Sequence, residues 1–147
     1  MDIREGRMVY IVDDDASVRK GLERLMRANR LGARSFSSPE PFLEEATAQP
    51  FACVLLDITL PQMTGLQVQA RMKEKGIEIP VIVVSARDDD DARRSARNLG
   101  AQFFLRKPVD DQALLDAIVW VTEGKHGNEI TNADGNREAA PFGGTRI

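Results

Sequence analysis

The stretch Val54-Leu55-Leu56-Asp57, followed by Ile58-Thr59-Leu60-Pro61, decides the fold. A short apolar run with a β-branched residue, closed by a carboxylate and then a proline, predicts a buried strand that ends where a loop begins. Asp57 is therefore predicted at the C-terminal end of a strand. Ligands bind at that edge of open α/β sheets, which makes Asp57 a candidate site residue, with a solvated loop acid as the alternative.

Other short apolar runs also end in polar side chains that can carry chemistry. Each has the length and composition of a buried strand. The runs and the residues that follow them are Met8–Val12 before Asp13-Asp14-Asp15, Pro80–Val84 before Ser85, and Gln102–Leu105 before Arg106-Lys107-Pro108. A weaker run over Ala33–Phe36 predicts an edge strand.

Helical patterns separate these runs. The first helix is predicted to begin after an N-cap at Asp15 and to end at Gly32. The others are predicted from Ser38-Pro39, over Gly65 to Lys75 with Leu66, Ala70 and Met72 packing, from about Asp89 to Leu99, and over Asp111 to Thr122. The helix from Asp89 has few residues that can pack, so we expect it to be mobile.

The composition of the chain limits its function classes. Its 147 residues fit one domain, and 42% hydrophobic and 29% charged residues with a net charge of −3 are ordinary for a globular protein. We therefore expect no direct nucleic-acid binding. No run approaches the ~18 apolar residues of a membrane helix, and the N-terminus is charged, so we expect a cytoplasmic protein without membrane contact. The single cysteine, Cys53, excludes an internal disulfide.

The alternation of strands and helices predicts an α/β fold, with a doubly wound five-stranded parallel sheet covered on both faces. The C-terminal ends of all strands of such a sheet lie at one edge. Five reactive side chains directly follow predicted strands, so we expect them in one crevice: Asp13, Asp14, Asp57, Ser85 and Lys107. Their independent placement on the surface is the simpler alternative.

Three carboxylates in one crevice repel one another, by about 3 kcal/mol per pair at ~5 Å and an effective dielectric constant of ~20. An all-oxygen site suits Mg²⁺, whereas zinc is disfavoured because the only histidine, His126, lies past the last helix. A lysine and a serine hydroxyl at such a site could bind phosphoryl oxygens, with an aspartate as nucleophile. A tight turn that aims Lys107 into the crevice also predicts a cis peptide bond between Lys107 and Pro108.

Together these motifs resemble the receiver domain of two-component response regulators, of the nitrogen-fixation-regulator type. The resemblance covers residues 7 to 122, and the ordered set is far more specific than a pair of aspartates. The motifs are Ile11-Val12-Asp13-Asp14, Leu55-Leu56-Asp57, Leu60-Pro61, Gly65, Val84-Ser85-Ala86 and Phe104-Leu105-Arg106-Lys107-Pro108. The resemblance implies a flavodoxin-like sheet with strand order 2-1-3-4-5 and a receiver domain over residues 1–122.

The resemblance also implies roles for individual residues. Asp57 would be the phosphoacceptor, with Ser85 and Lys107 binding the phosphoryl oxygens. The implied cofactor is Mg²⁺, with the ligands Asp13, Asp14, Asp57 and the main-chain carbonyl of Thr59. Phe104 occupies the position of the family's switch aromatic, with ordinary strand packing as the alternative.

The partners are implied in the same way. A sensor histidine kinase or a phosphotransfer protein would donate the phosphate, and an unidentified downstream protein or a second copy of the chain would receive the signal. Such a protein is not an enzyme beyond its own phosphorylation and dephosphorylation. We place its output surface on the helix from Asp89 to Leu99, the strand at Phe104 and the helix from Asp111, acting through Arg93, Arg97 and Trp120.

Residues 123–147 are rich in glycine and poor in large hydrophobic residues, so they cannot build a second core. We expect a flexible tail that follows a stand-alone switch, with docking of the tail as the alternative.

Two other functions compete with the interpretation as a phosphoryl-accepting switch. One is a phosphohydrolase of the haloacid-dehalogenase type with Asp13 as nucleophile, although Asp57 would then be unexplained. The other is the receiver fragment of a DNA-binding regulator.

Overall fold

The computed structural model describes residues 6–47, 49–86 and 90–123, which form alternating strands and helices. The strands are β1 (Met8–Val12), β2 (Gly32–Phe36), β3 (Ala52–Leu56), β4 (Val81–Ser85) and β5 (Ala101–Arg106). The helices are α1 (Ala16–Ala28), α2 (Pro39–Glu45), α3 (Gly65–Lys75), α4 (Asp90–Asn98) and α5 (Asp111–Thr122). Residues 124–147, for which the sequence predicts a tail, lie outside the described part of the chain.

The strands form one parallel sheet in the order β2-β1-β3-β4-β5, which confirms the predicted fold. Parallel strands need crossover connections, and the helices supply them on both faces. Val12 lies opposite Leu56, and Ser85 lies opposite Arg106. The residues that follow the strands at these positions therefore share the C-terminal edge of the sheet.

Two apolar layers enclose the sheet. The layer beneath α2, α3 and α4 includes Phe42, Val68 and Phe104, and the layer beneath α1 and α5 includes Met26 and Ile118. Both β3 and β4 are buried at every position, because helices cover both of their faces. The predicted edge strand, β2, is only partly buried.

Cys53 lies within β3 and is fully buried. Burial raises the pKa of the Cys53 thiol to about 12, against a smaller opposing effect from the positive charge of Arg7. The thiol is therefore protonated in the folded protein at neutral pH, which makes it a poor nucleophile.

The predicted end of the first helix at Gly32 is wrong. α1 ends at Ala28, and the turn after it is closed by Arg30 in the left-handed conformation (φ 62°) and by the Leu31 amide, which donates to Met26 O at 2.9 Å. Gly32 instead begins β2, where a Cβ atom would lie 3.1 Å from the Met8 side chain. The predicted N-cap is confirmed, since the Asp15 carboxylate accepts from the backbone amides of residues 17 and 18.

The two helices that flank β4 differ in their anchorage. α3 buries Met72 as predicted, but Ala70 is half-exposed and the buried face includes Val68 and Gln69 instead. α4 buries only two alanines, which agrees with the few packing residues that its sequence offers. Its mobility stays a prediction.

α5 spans the predicted residues, and Trp120 near its end is half-buried. The indole packs edge-on against Phe103, with ring centroids 5.6 Å apart.

The Lys107–Pro108 peptide bond is cis, as predicted. Among the described residues, no helix has the length and apolar character needed to cross a membrane.

Candidate functional site: an acidic cluster at the sheet edge

Two carboxylates are placed side by side by the register of β1 and β3. Asp13 follows β1 and Asp57 follows β3, and the Asp57 amide donates to Val12 O at 3.1 Å. Both residues are buried, with relative exposures of 4% and 5%. The strand-end position of Asp57 is therefore a buried edge site, and the solvated-loop alternative is wrong.

A third carboxylate completes the cluster. Oxygen atoms of Asp13, Asp14 and Asp57 all lie within 4.8 Å of one another, and Asp14 is exposed. At that distance and an effective dielectric constant of ~20, each pair repels by roughly 3.5 kcal/mol. The set consists of hard oxygen donors with one side open to solvent, which fits Mg²⁺ better than zinc.

Lys107 lies between the two buried acids. Its Nζ atom is 2.8 Å from Asp13 Oδ2 and 3.2 Å from Asp57 Oδ2. Burial alone would lower the pKa of Lys107, but the hydrogen bond to Asp13 and the charge of Asp57 outweigh it and raise that pKa. The contacts that raise the pKa of Lys107 also stabilise the folded protein. This stabilisation is complete at pH values below the pKa of the lysine in the unfolded chain, and it is lost only as the pH rises through the higher pKa in the folded protein. Lys107 is thus a cation at neutral pH.

The remaining carboxylate oxygens are held by the loops. Asp57 Oδ1 accepts from Thr59 N at 3.0 Å and from Thr59 Oγ1 at 3.1 Å. Asp13 Oδ1 accepts from Asp15 N at 2.9 Å. The two buried acids are therefore fixed in orientation, whereas Asp14 is not held in a buried position. The role of the Thr59 carbonyl as a metal ligand stays a prediction.

Ser85 and Phe104 lie on the neighbouring strands. Ser85 ends β4 with no exposed surface, and its carbonyl accepts from the Lys107 amide at 2.8 Å, which brings both residues to the same edge. Phe104 is fully buried in β5, and the guanidinium of Arg93 from α4 lies 5.1 Å from its ring centroid. The five predicted residues therefore lie at one edge of the sheet, and Phe104 on β5 contacts Arg93 of α4.

Two residues support the site through contacts that the sequence analysis did not predict. The helical pattern assigns Arg19 to the polar face of α1, yet its Nη1 donates to Asp13 O at 2.7 Å. Arg19 lies one turn after the N-cap Asp15, a spacing that allows such a return contact. The other is Gly65, a motif glycine whose amide donates to Ile58 O at 2.9 Å. The structure thus adds a backbone support to each of the two acidic loops.

Gly65 is expected to tolerate no side chain. A Cβ atom there would lie 2.6 Å from Ile58 Cα and 2.7 Å from Asp57 O, so the loop after β3 or the start of α3 would have to shift. We expect Gly65→Ala to lower the free energy of unfolding by roughly 1–3 kcal/mol, measured by urea denaturation. The matched control is Gly21→Ala in α1, where nothing lies within 4 Å, and it should stabilise by about 0.5–1 kcal/mol. Equal midpoints for the two variants would contradict this account of Gly65.

The similarities to known proteins agree with this geometry. A family model described as the response regulator receiver domain matches residues 9–119. The transcriptional regulatory protein TdiR of Thauera aromatica is 39% identical over 110 residues, which cover 75% of this chain and 48% of TdiR. The response regulator protein TodT of Pseudomonas putida is 38% identical over 111 residues, covering 76% of this chain and 49% of TodT.

Solved structures show the same fold. The crystal structure of FixJ-N is similar with a TM-score of 0.75 and 29% identity, over 82% of this chain and 96% of FixJ-N. The chain spans about half the length of the curated relatives it matches. The matched region contains each residue of the acidic cluster, together with Ser85 and Lys107.

Proposed function

The chain belongs to the response regulator receiver domain family, and from this premise we propose that it is a phosphoryl-accepting signalling switch. Asp57 takes phosphate from a sensor histidine kinase or a phosphotransfer protein. The observation that carries the proposal is the position of Lys107, which contacts both Asp13 and Asp57 within a cluster of three carboxylates. The Lys107 cation can bind phosphoryl oxygens while the carboxylate of Asp57 attacks phosphorus.

The proposed chemistry is a single transfer. An Asp57 carboxylate oxygen forms a bond to phosphorus while the bond between phosphorus and the donor histidine nitrogen breaks. Lys107 and the Ser85 hydroxyl then bind phosphoryl oxygens, and Thr59 holds the orientation of the acceptor. When bound by Asp13, Asp14, Asp57 and the Thr59 carbonyl, Mg²⁺ supplies positive charge to the phosphoryl oxygens.

Labelling of the acceptor residue tests this function. The protein is incubated with Mg²⁺ and a small-molecule phosphodonor, and peptide mapping then locates the acyl phosphate. We expect the label on Asp57. Label on Asp13 would instead support the haloacid-dehalogenase-type hydrolase, which the family match does not favour. No label on either residue would contradict both functions.

Removal of the exposed acid should weaken the proposed metal site. Asp14→Ala removes one carboxylate from the cluster without disturbing the Lys107 contacts, so we expect Mg²⁺ affinity to fall by about tenfold, mainly through lost ligand charge. Calorimetry is preferred to fluorescence, because the fluorescent side chains Tyr10 and Trp120 pack against other aromatic rings, of Phe36 and Phe103 respectively. Asp116→Ala, an exposed acid on α5, is the matched control. Unchanged Mg²⁺ affinity in the Asp14 variant would exclude that residue as a ligand.

We infer that the output surface comprises α4, β5 and α5. α4 is anchored by two small side chains and by the stacking of Arg93 on Phe104, so small changes near β5 can displace it. Arg97 is exposed and Trp120 is half-buried. A surface that combines a weakly anchored helix, arginines and an accessible aromatic side chain suits partner binding or self-association.

Hydrogen exchange tests this surface. We expect beryllofluoride, a mimic of the aspartyl phosphate, to change hydrogen exchange in residues 86 to 106. The mimic would bind one of two arrangements of α4 more tightly than the other, and a coupling free energy of only ~1 to 3 kcal/mol is needed for this effect. Replacement of Arg97 and Trp120 by alanine should then weaken association without affecting labelling of Asp57. Protection confined to the loops at Asp14 and Asp57 would show that phosphate binds without transmission to this surface.

A second candidate is that the chain is the receiver region of a DNA-binding regulator. It is favoured by the name of TdiR as a transcriptional regulatory protein, of which this chain covers 48%. In that case phosphorylation would control an output domain. The mass of the native polypeptide decides: a product of 16.3 kDa would exclude this candidate, and a product about twice as large would support it.

A further inference from the structure

A buried glutamine lies on the packed face of α3. Gln69 has 1% relative exposure and stands between Val68 and Met72, two members of the apolar layer beneath α2, α3 and α4. Burial of an amide in apolar surroundings is unfavourable unless hydrogen bonds compensate. Burial of Gln69 therefore depends on the hydrogen bonds that its amide makes.

The Gln69 amide caps the end of α4. Its Nε2 atom donates to Ala96 O at 3.0 Å. The helical donor for that carbonyl would be the Gly100 amide, which instead donates to Arg97 O at 2.9 Å. Helices leave their last carbonyls without intrahelical donors, and here a side chain of the neighbouring helix supplies one. This bond adds to the attachment of α4, which also includes two buried alanines and the contact of Arg93 with Phe104.

The start of α3 is attached to the phosphoacceptor loop. The Gly65 amide donates to Ile58 O at 2.9 Å, and the Gly65 backbone is so close to the Asp57 carbonyl that no Cβ atom fits between them. Gln69 follows Gly65 by four residues, about one helical turn. A single turn of α3 therefore separates the backbone contacts of the Asp57 loop from the side chain that binds α4.

The Gln69 contact is only half satisfied. Oε1 is buried and has no hydrogen-bond partner among the described residues. Beside it, a cavity of about 360 Å³ separates the C-terminal ends of α3 and α4 and is lined by Met72, Ile79 and Leu99. The cavity leaves space beside the last turn of α4. The C-terminal turn of α4 is thus incompletely packed against α3.

We propose that Gln69 couples the Asp57 loop to α4 through α3, as a positioning residue separate from the contact between Phe104 and Arg93. The inference rests on the proposed function, because it assigns to that function a second connection between the acceptor and the output surface. Loop displacement at Asp57 shifts α3, and the bond from Gln69 transmits the shift to the C-terminal turn of α4.

The test combines Gln69→Leu with hydrogen exchange, in the presence and absence of beryllofluoride. Leucine keeps the approximate volume and removes the donor, and Gln69→Met serves if the leucine variant does not fold. We expect amides in the last turn of α4 to exchange about fivefold faster, the effect of one lost hydrogen bond. The change caused by beryllofluoride in α4 should be clearly smaller than in the wild type, while Asp57 still accepts phosphate. Gln112→Leu, at an exposed position of α5, is the matched control.

Two results would overturn the proposal. If exchange in α4 is the same in the Gln69 and Gln112 variants, Gln69 does not hold the helix. If exchange rises but beryllofluoride acts on α4 as in the wild type, Gln69 is a cap that transmits nothing. Failure of the proposed function would look different, because the wild type itself would then show neither labelling of Asp57 nor a response to beryllofluoride.

Discussion

Replacement of Asp57 with asparagine is expected to abolish phosphate incorporation while the fold stays intact. An amide has no carboxylate oxygen to attack phosphorus, so the loss should be complete rather than partial. Asparagine can still accept the hydrogen bonds from Thr59, and removal of one charge relieves repulsion that amounts to roughly 3.5 kcal/mol per pair. Because the favourable contact with Lys107 is lost at the same time, we expect the free energy of unfolding to change by about 1 kcal/mol or less.

Intact-protein mass spectrometry after incubation with a phosphodonor measures the incorporation, and urea denaturation measures the stability. Asp116→Asn provides the matched control on an exposed surface. Undiminished labelling of the Asp57 variant would show that another residue is the acceptor. A large loss of stability would instead show that the carboxylate has a structural role that the contacts do not indicate.

Lys107→Met should have the largest effect on stability. The substitution leaves Asp13 and Asp57 buried close together without their shared cation. Breaking a buried ion pair by removal of one partner typically costs 3–5 kcal/mol, and since the Lys107 side chain is 23% exposed, we expect a loss of about 2–4 kcal/mol. Mg²⁺ should restore part of that loss, because a cation held by the folded acids stabilises the native state by mass action.

Urea denaturation in EDTA and in Mg²⁺ separates the two contributions. Lys20→Met, on the exposed face of α1, controls for the loss of a lysine and should change stability little in either condition. The same gain from Mg²⁺ in the wild type and in the Lys107 variant would argue against a shared electrostatic role for Lys107 and the metal. The variant should also accept phosphate more slowly, since its phosphoryl oxygens lose a donor.

The sheet and the acidic cluster could be predicted because each depends on local signals in sequence. An apolar run that stops at a carboxylate, as at Asp57, marks a strand end directly. Once the strands are parallel, topology alone brings Asp13, Ser85 and Lys107 to the same edge. The order of the strands, by contrast, came from the resemblance to a family, because spacing does not determine which strands are neighbours.

The supports of the site could not be predicted because they depend on tertiary contacts. Arg19 looks like a surface residue until the turn at Asp13 is known. Gln69 occupies a position in α3 that a helical pattern would give to an apolar side chain, and its partner lies 27 residues away on another helix. The end of the first helix was predicted wrongly at Gly32 because glycine commonly ends helices. Here Arg30 takes the left-handed conformation, and the missing side chain of Gly32 leaves space for Met8.

The protonated thiol of Cys53 gives the protein a built-in reporter of its own unfolding. Because Cys53 lies at the centre of the sheet and is the only cysteine, a maleimide can react only after β3 has been exposed. In purified protein, the rate of alkylation then reports the opening events that expose β3. Added Mg²⁺ or beryllofluoride that binds the folded protein should slow this alkylation. The alkylation rate of Cys53 therefore allows the stabilities of all the variants described above to be compared by one measurement.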